Sequence, residues 1–143
     1  MARVLVTARI ENMEDLNALR LGVLRPDQVR AVEIADAVVG SDAVILSLPS
    51  RLIAQLGFDP IGWQSTHTRV YGMAKLTIQG RECVTDVAQV PGDSPVLIGT
   101  TSCLAMDWVV DPKTNTLVGN PAHGGEQMYE IFVSSYGELN PAS

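Results

Sequence analysis

The sequence predicts one mainly β domain of barrel or sandwich type, carrying two or three short helices. Three observations lead there. Short runs rich in Val, Ile, Leu and Thr recur along the 143 residues and are broken by Pro, Gly, Asn and Asp. The run from Val70 to Ile78 and its return from Cys83 to Val90, joined through Gln79-Gly80-Arg81-Glu82, make the clearest antiparallel hairpin. The helical stretches between these runs are all short. A chain of this length that is 46% hydrophobic can bury one core without disulfides or metals, so residues 1–143 are expected to form a single domain.

Val4, Val6 and Ala8 alternate with Leu5, Thr7 and Arg9, which reads as a strand ending near Asn12. From Met13 to Leu24 the positions Leu16, Leu19, Leu21 and Val23 fit short helical turns, and Pro26-Asp27 marks a fresh start. Val32, Ile34, Ala35, Ala37, Val38 and Val39 run almost uninterrupted into Gly40, the pattern of a strand buried on both faces. After a sharp turn, Val44 to Leu48 resumes a strand. Pro49 suits the first turn of a helix that Arg51 to Leu56 completes before Gly57.

Phe58 to Thr68, with Pro60, Gly62 and Trp63, is aperiodic and reads as a loop or an irregular hairpin. Pro91-Gly92-Asp93 ends the main hairpin, and Val96-Leu97-Ile98-Gly99 follows as a short apolar strand. Thr100 or Thr101 is placed to cap a helical turn through Leu104-Ala105-Met106. Trp108-Val109-Val110 and Thr116-Leu117-Val118 flank Asp111 to Asn115 as a second hairpin. The last apolar stretch, Met128, Tyr129, Ile131, Phe132 and Val133, reads as a strand of the core or of a dimer interface.

The net charge of −6, with Lys and Arg scattered singly, argues against a nucleic-acid partner, which needs clustered cations to displace counterions from phosphates. The opening residues are too short and too interrupted, by Arg9 and Glu11, for a secretory or membrane-spanning segment, so a soluble cytoplasmic protein without membrane contact is expected. Cys83 and Cys103 read as buried free thiols. A metal site would have to recruit them with His67 and His123 from distant segments, and neither a metal nor another cofactor is expected.

The order of buried strand, loop, Leu46-Ser47-Leu48-Pro49, short helix, hairpin and Val96-Leu97-Ile98-Gly99 resembles that of the retropepsin-like aspartic peptidases of clan AA, specifically their bacterial branch. Tyr71-Gly72, Leu76 to Arg81, Val109 to Pro112 and Gly119 to Glu126 also have the look of signatures of that family. The resemblance spans nearly the whole chain. It implies a closed β-barrel, half of an acid-protease site, with one to three short helices. It also implies a homodimer in which each protomer lends one Asp-Thr-Gly loop and one flap. The family's chemistry needs both loops, because two carboxylates held about 3 Å apart cannot both ionise and so divide the acid and base roles.

The chain departs from that pattern where the chemistry lies. With Ala37-Val38-Val39 aligned on one side and Ala43 and Leu46 to Pro49 on the other, Gly40 falls on the catalytic Asp, Ser41 on the Thr and Asp42 on the Gly. The expectation is a catalytically inactive, homodimeric pseudopeptidase that binds a protein or peptide or helps assemble a larger complex. Ser41 keeps a hydroxyl for hydrogen bonds between the two loops. The alternative is an active aspartic endopeptidase using Asp42 in a dimeric site, through a two-residue slide. That slide puts Val44 where unusual dihedrals are needed and displaces the match at Leu46 to Pro49.

Ile61 and Trp63 are the cleft or flap candidates. Gly57 to Val70 is too little chain for a long flap, and Trp63 either lines a vacant cleft or covers core. Ser47, Ser50 and His67 lack any nucleophile-elbow signature. His123-Gly124-Gly125-Glu126 reads either as a small anion-binding nest or, favoured by Asn120-Pro121, as a structural turn.

Overall fold

The computed structural model describes residues 3–40 and 43–127. Strand β1 (Val4–Asn12) leads directly into helix α1 (Met13–Arg20), and a 3-10 turn at Pro26–Gln28 precedes β2 (Ala31–Val39). Then come β3 (Leu46–Pro49), helix α2 (Ser50–Leu56), β4 (Asp59–Trp63), β5 (Arg69–Ile78), β6 (Arg81–Val90), β7 (Leu97–Ile98), helix α3 (Thr100–Ala105), β8 (Trp108–Asp111) and β9 (Thr116–Gly119). A last 3-10 turn covers Pro121–His123. The final apolar stretch from Met128 lies outside the described residues.

Seven strands form one sheet in the order β1-β2-β7-β3-β6-β5-β4, and β1 also pairs with β5, which closes the sheet on itself. Closure is possible because β5 divides its length. Its first half pairs with β4 (Tyr71 opposite Pro60) and its second half with β1 (Leu76 opposite Ile10). The interior holds Ile10, Leu46, Leu48, Leu56, Leu76, Ile78, Ile98 and Met106, all fully buried, and β1 alternates inward and outward along its length. The hairpin β8-β9 forms a separate two-stranded sheet, tied to the start of β1 by Asn115 Nδ2 donating to the Arg3 carbonyl at 2.8 Å.

The predicted hairpin is present, with a tighter turn than the sequence implied. Ile78 pairs with Arg81, and Gln79 and Gly80 alone turn the chain, with φ of 50° and 87°. Both values lie in the left-handed region that such hairpins require. The expectation that β2 is buried on both faces is corrected. Only Ala37 and Val38 are buried, while Glu33, Ala35 and Asp36 are exposed. The cause is pairing: β7 reaches β2 only at Val38 and Val39, so among the described residues the first half of β2 has β1 as its one strand partner.

One buried ionic cluster joins the helical insertion to the barrel. Asn12 caps α1 by accepting from the Asp15 amide at 3.0 Å, and its Nδ2 donates to the Leu56 carbonyl at the end of α2 at 2.8 Å. The Asp15 carboxylate, 8% exposed, receives the Arg30 amide and both Nε and Nη2 of its guanidinium, at 2.8 to 2.9 Å. These bonds from Arg30 hold the carboxyl below its ordinary value near 3.8, against an opposing push from burial. Gly57 closes α2 with φ 71°, and a β-carbon there would overlap the Arg30 guanidinium.

Replacing Asp15 with Ala strands the Arg30 amide and guanidinium, so urea unfolding at pH 7 is expected to show a loss of about 1–3 kcal/mol. Because the folded carboxyl has the depressed pKa, this contribution is full above the ordinary carboxylate value. It fades as pH falls through the folded one, and the two proteins' stabilities should therefore converge in acid. A difference that persisted unchanged to low pH would contradict the ion-pair assignment.

Candidate functional site

The flanks of the loop between β2 and β3 are held from beneath by the chain from Val96 to Thr101. The Val38 amide donates to the Val96 carbonyl at 2.8 Å, and the Gly40 amide donates to the Ile98 carbonyl at 3.2 Å. Strand β7 thus runs parallel to β2 and inserts between it and β3, where Leu97 pairs with Ser47. On the far side of the loop, the Thr100 amide donates to the Ala43 carbonyl at 3.1 Å and the Thr101 amide to the Val44 carbonyl at 3.0 Å. Only Ser41 and Asp42 stand between the two clamped flanks, which end at Gly40 and Ala43. Ser41 and Asp42 lie outside the described residues.

This clamp explains two sequence features. Gly99 has an ordinary φ of −83°, so its requirement is one of space: a β-carbon would sit 2.4 Å from the carbonyl carbon and oxygen of Val44. The expectation that Thr100 or Thr101 caps α3 is corrected. Gly99 is the N-cap and makes no side-chain cap, because the first free amides of the helix are taken by the loop carbonyls.

The cleft candidates sit on a short hairpin. Strands β4 and β5 pair from Asp59 opposite Gly72 to Trp63 opposite Arg69, with an irregularity between Pro60 and Gly62, and the Gln64 amide closes the loop onto the Thr68 carbonyl. Ile61 and Trp63 are 57% and 60% exposed, so Trp63 does not cover core. Its ring carries the Arg69 guanidinium at 5.1 Å. Tyr71 of the same hairpin donates to Gln89 Oε1 at 2.9 Å, which anchors the hairpin base to β6.

The remaining candidates separate. Ser47 is buried on β3, Ser50 is exposed at the start of α2, and His67 is exposed in the β4-β5 loop, with no hydrogen bond joining either serine to His67 among the described residues. Cys83 and Cys103 are free and half-buried against the common core. Burial, and secondarily the neighbouring Cys103, pushes the Cys83 thiol up to about 11; burial also raises Cys103. No cluster of three metal-ligating side chains, and no helix long and apolar enough to cross a membrane, is found among the described residues.

The segment His123 to Glu126 is a structural turn. Its amides from His123 to Glu126 are spent on the Asn120, Pro121 and His123 carbonyls, which leaves no cradle for an anion. His123 Nδ1 lies 2.6 Å from Asp107 Oδ2, and Arg81 donates to the Met106, Asp107 and Gly125 carbonyls while stacking on Trp108 at 4.0 Å. Sequence reasoning missed this role of Arg81; its place just after a tight turn signals nothing about three distant carbonyls.

Beside the clamped loop opens a mostly apolar groove of about 1050 Å³, running from Val39, Gly40 and Ala43 past Leu97 and Gly99 to Leu104, Trp108 and Val110. Leu104 and Val110, not singled out from the sequence, are 65% and 44% exposed along it.

Gly99→Ala is expected to destabilise the protein by about 1–3 kcal/mol, since backbone atoms of Val44 must move to admit the methyl. Gly92→Ala, with open space at its β-carbon, should stay within about 0.5 kcal/mol in the same denaturation experiment. Equal effects would argue against the close approach.

No family model matches the chain, and no curated protein matches it. Among solved structures it is similar to the retroviral protease-like domain of Ddi1 from Leishmania major, with a TM-score of 0.51 and 15% sequence identity over 84% of this chain and 90% of that one. At that identity the likeness is one of fold, and the fold of this chain is the retropepsin-like β-barrel.

Proposed function

We propose that the chain is a single-domain, catalytically inactive retropepsin-like protein of bacterial type, which works as a homodimer in binding or assembly. The observation that carries this reading is the two-sided clamp on the loop. The Gly40 amide is bonded to Ile98 on one flank and the Ala43 and Val44 carbonyls to Thr100 and Thr101 on the other. With both flanks fixed, a two-residue slide that would bring Asp42 to the head of the loop has to break these bonds and lift Val44 off Gly99. The clamp thus supports the reading that Gly40 takes the first loop position, where the aspartic mechanism needs a carboxylate.

Dimerisation follows from the same geometry, since the loop and its groove present an apolar surface that a twofold-related copy would cover. The exposed Ile61 and Trp63 on the β4-β5 hairpin supply contact area for an extended protein or peptide partner.

The purified protein, incubated with an unfolded protein substrate at about pH 4–6, is expected to show no pepstatin-sensitive cleavage, and Asp42→Asn should leave that null result unchanged. Pepstatin-sensitive cleavage that disappeared in Asp42→Asn would establish instead an active endopeptidase using Asp42. Sedimentation should give twice the mass of the chain; a monomer at all concentrations would remove the dimer from this reading.

A further inference from the structure

Two copies of a chain with net charge −6 repel wherever their acidic surfaces meet, so a self-contact is favoured where the surface carries no carboxylate. The groove beside the β2-β3 loop is such a place. Among the described residues that line it Arg3 alone is charged, although 18% of the whole chain is. Depletion of charge is what distinguishes the core of an interface from ordinary surface.

The exposed wall of the groove stands on α3 and β8, which carry Leu104 and Val110. Neither element is loose. The first amides of α3 are bonded to the Ala43 and Val44 carbonyls, and β8 is paired with β9, where Val110 lies opposite Leu117. Side chains presented this rigidly lose little freedom when they are covered. The other exposed aliphatic residues are placed differently. Val84 shares the outward face of β6 with Glu82 and Asp86, and Leu21 and Val23 lie between Arg20 and Arg25, so a twofold contact at either place sets like charges against each other.

We propose that the wall formed by α3 and β8 is the seam of the homodimer, with Leu104 and Val110 of each protomer entering the groove of its partner. The inference rests on the homodimeric reading above and deepens it by naming the surface through which the copies meet. Ile61 and Trp63 do not line the groove and stay uncovered in both protomers, so dimerisation and binding of an extended partner are compatible.

Cys103 lines the groove and Cys83 does not, so the two free thiols report on the seam in the unaltered protein. Maleimide labelling is followed by mass spectrometry across the concentrations at which sedimentation shows the dimer dissociating. Dimerisation is expected to slow labelling about fivefold or more at Cys103 and to leave Cys83 unchanged. Leu104→Glu should weaken the dimer about tenfold or more, because it buries a carboxylate in the seam, while Val23→Glu should keep it within about twofold. Cys103 labelling that ignores dimerisation, or equal effects of the two substitutions, would overturn the seam and leave the homodimer standing. A chain that is monomeric at every concentration would overturn both.

Discussion

The backbone of Gly99 passes under the Val44 carbonyl with no room for a β-carbon between them, and the organisation of the barrel mouth depends on that contact. Because Gly99 can approach so closely, β7 slots between β2 and β3, which would otherwise have no common partner, and the six-strand ring can close through β1 and β5. The same approach lets two helix-initiating amides serve loop carbonyls instead of a side-chain cap. One packing constraint thus sets the sheet order, the start of α3 and the course of the β2-β3 loop.

What surrounds this contact is stabilised differently on each side. On the α1 side, a nearly buried carboxylate, Asp15, is satisfied by three donors of one residue, Arg30, which compensate the charge held inside the insertion. On the β8-β9 side, Arg81 does the corresponding work with neutral partners, gathering three carbonyls and an aromatic face. Both arginines act through planar, multi-donor geometry that lysine does not provide.

The sequence made the local features legible and left the non-local ones dark. The β5-β6 hairpin, α2 with its closing Gly57, and the β8-β9 hairpin were readable because each is specified by neighbours in the chain: alternation, a turn, a left-handed cap. The burial of β2 was misread because Val32, Ile34 and Ala35 look like interior residues until the sheet order shows that β7 reaches only Val38 and Val39. Thr100 and Thr101 looked like caps because capping is a local rule, and a loop more than fifty residues earlier in the chain supplied the acceptors instead. At the site, Leu97 and Ile98 were legible as a short apolar strand, whereas Leu104 and Val110 gave no pattern that sets a groove wall apart from an ordinary surface residue.

The way β7 is threaded also bears on how the molecule reaches this state. The β5-β6 pairing closes across Gln79 and Gly80 alone, whereas β3 to β6 all lie between β2 and β7 in the chain. Bringing distant segments together costs chain entropy before any contact returns it, so pairings of this range form late and slow the whole process. The costly closures are thus β2 on β7 and, at still longer range, Arg9 of β1 on Thr77 of β5, and a chain lacking Ile98 has no acceptor for the Gly40 amide.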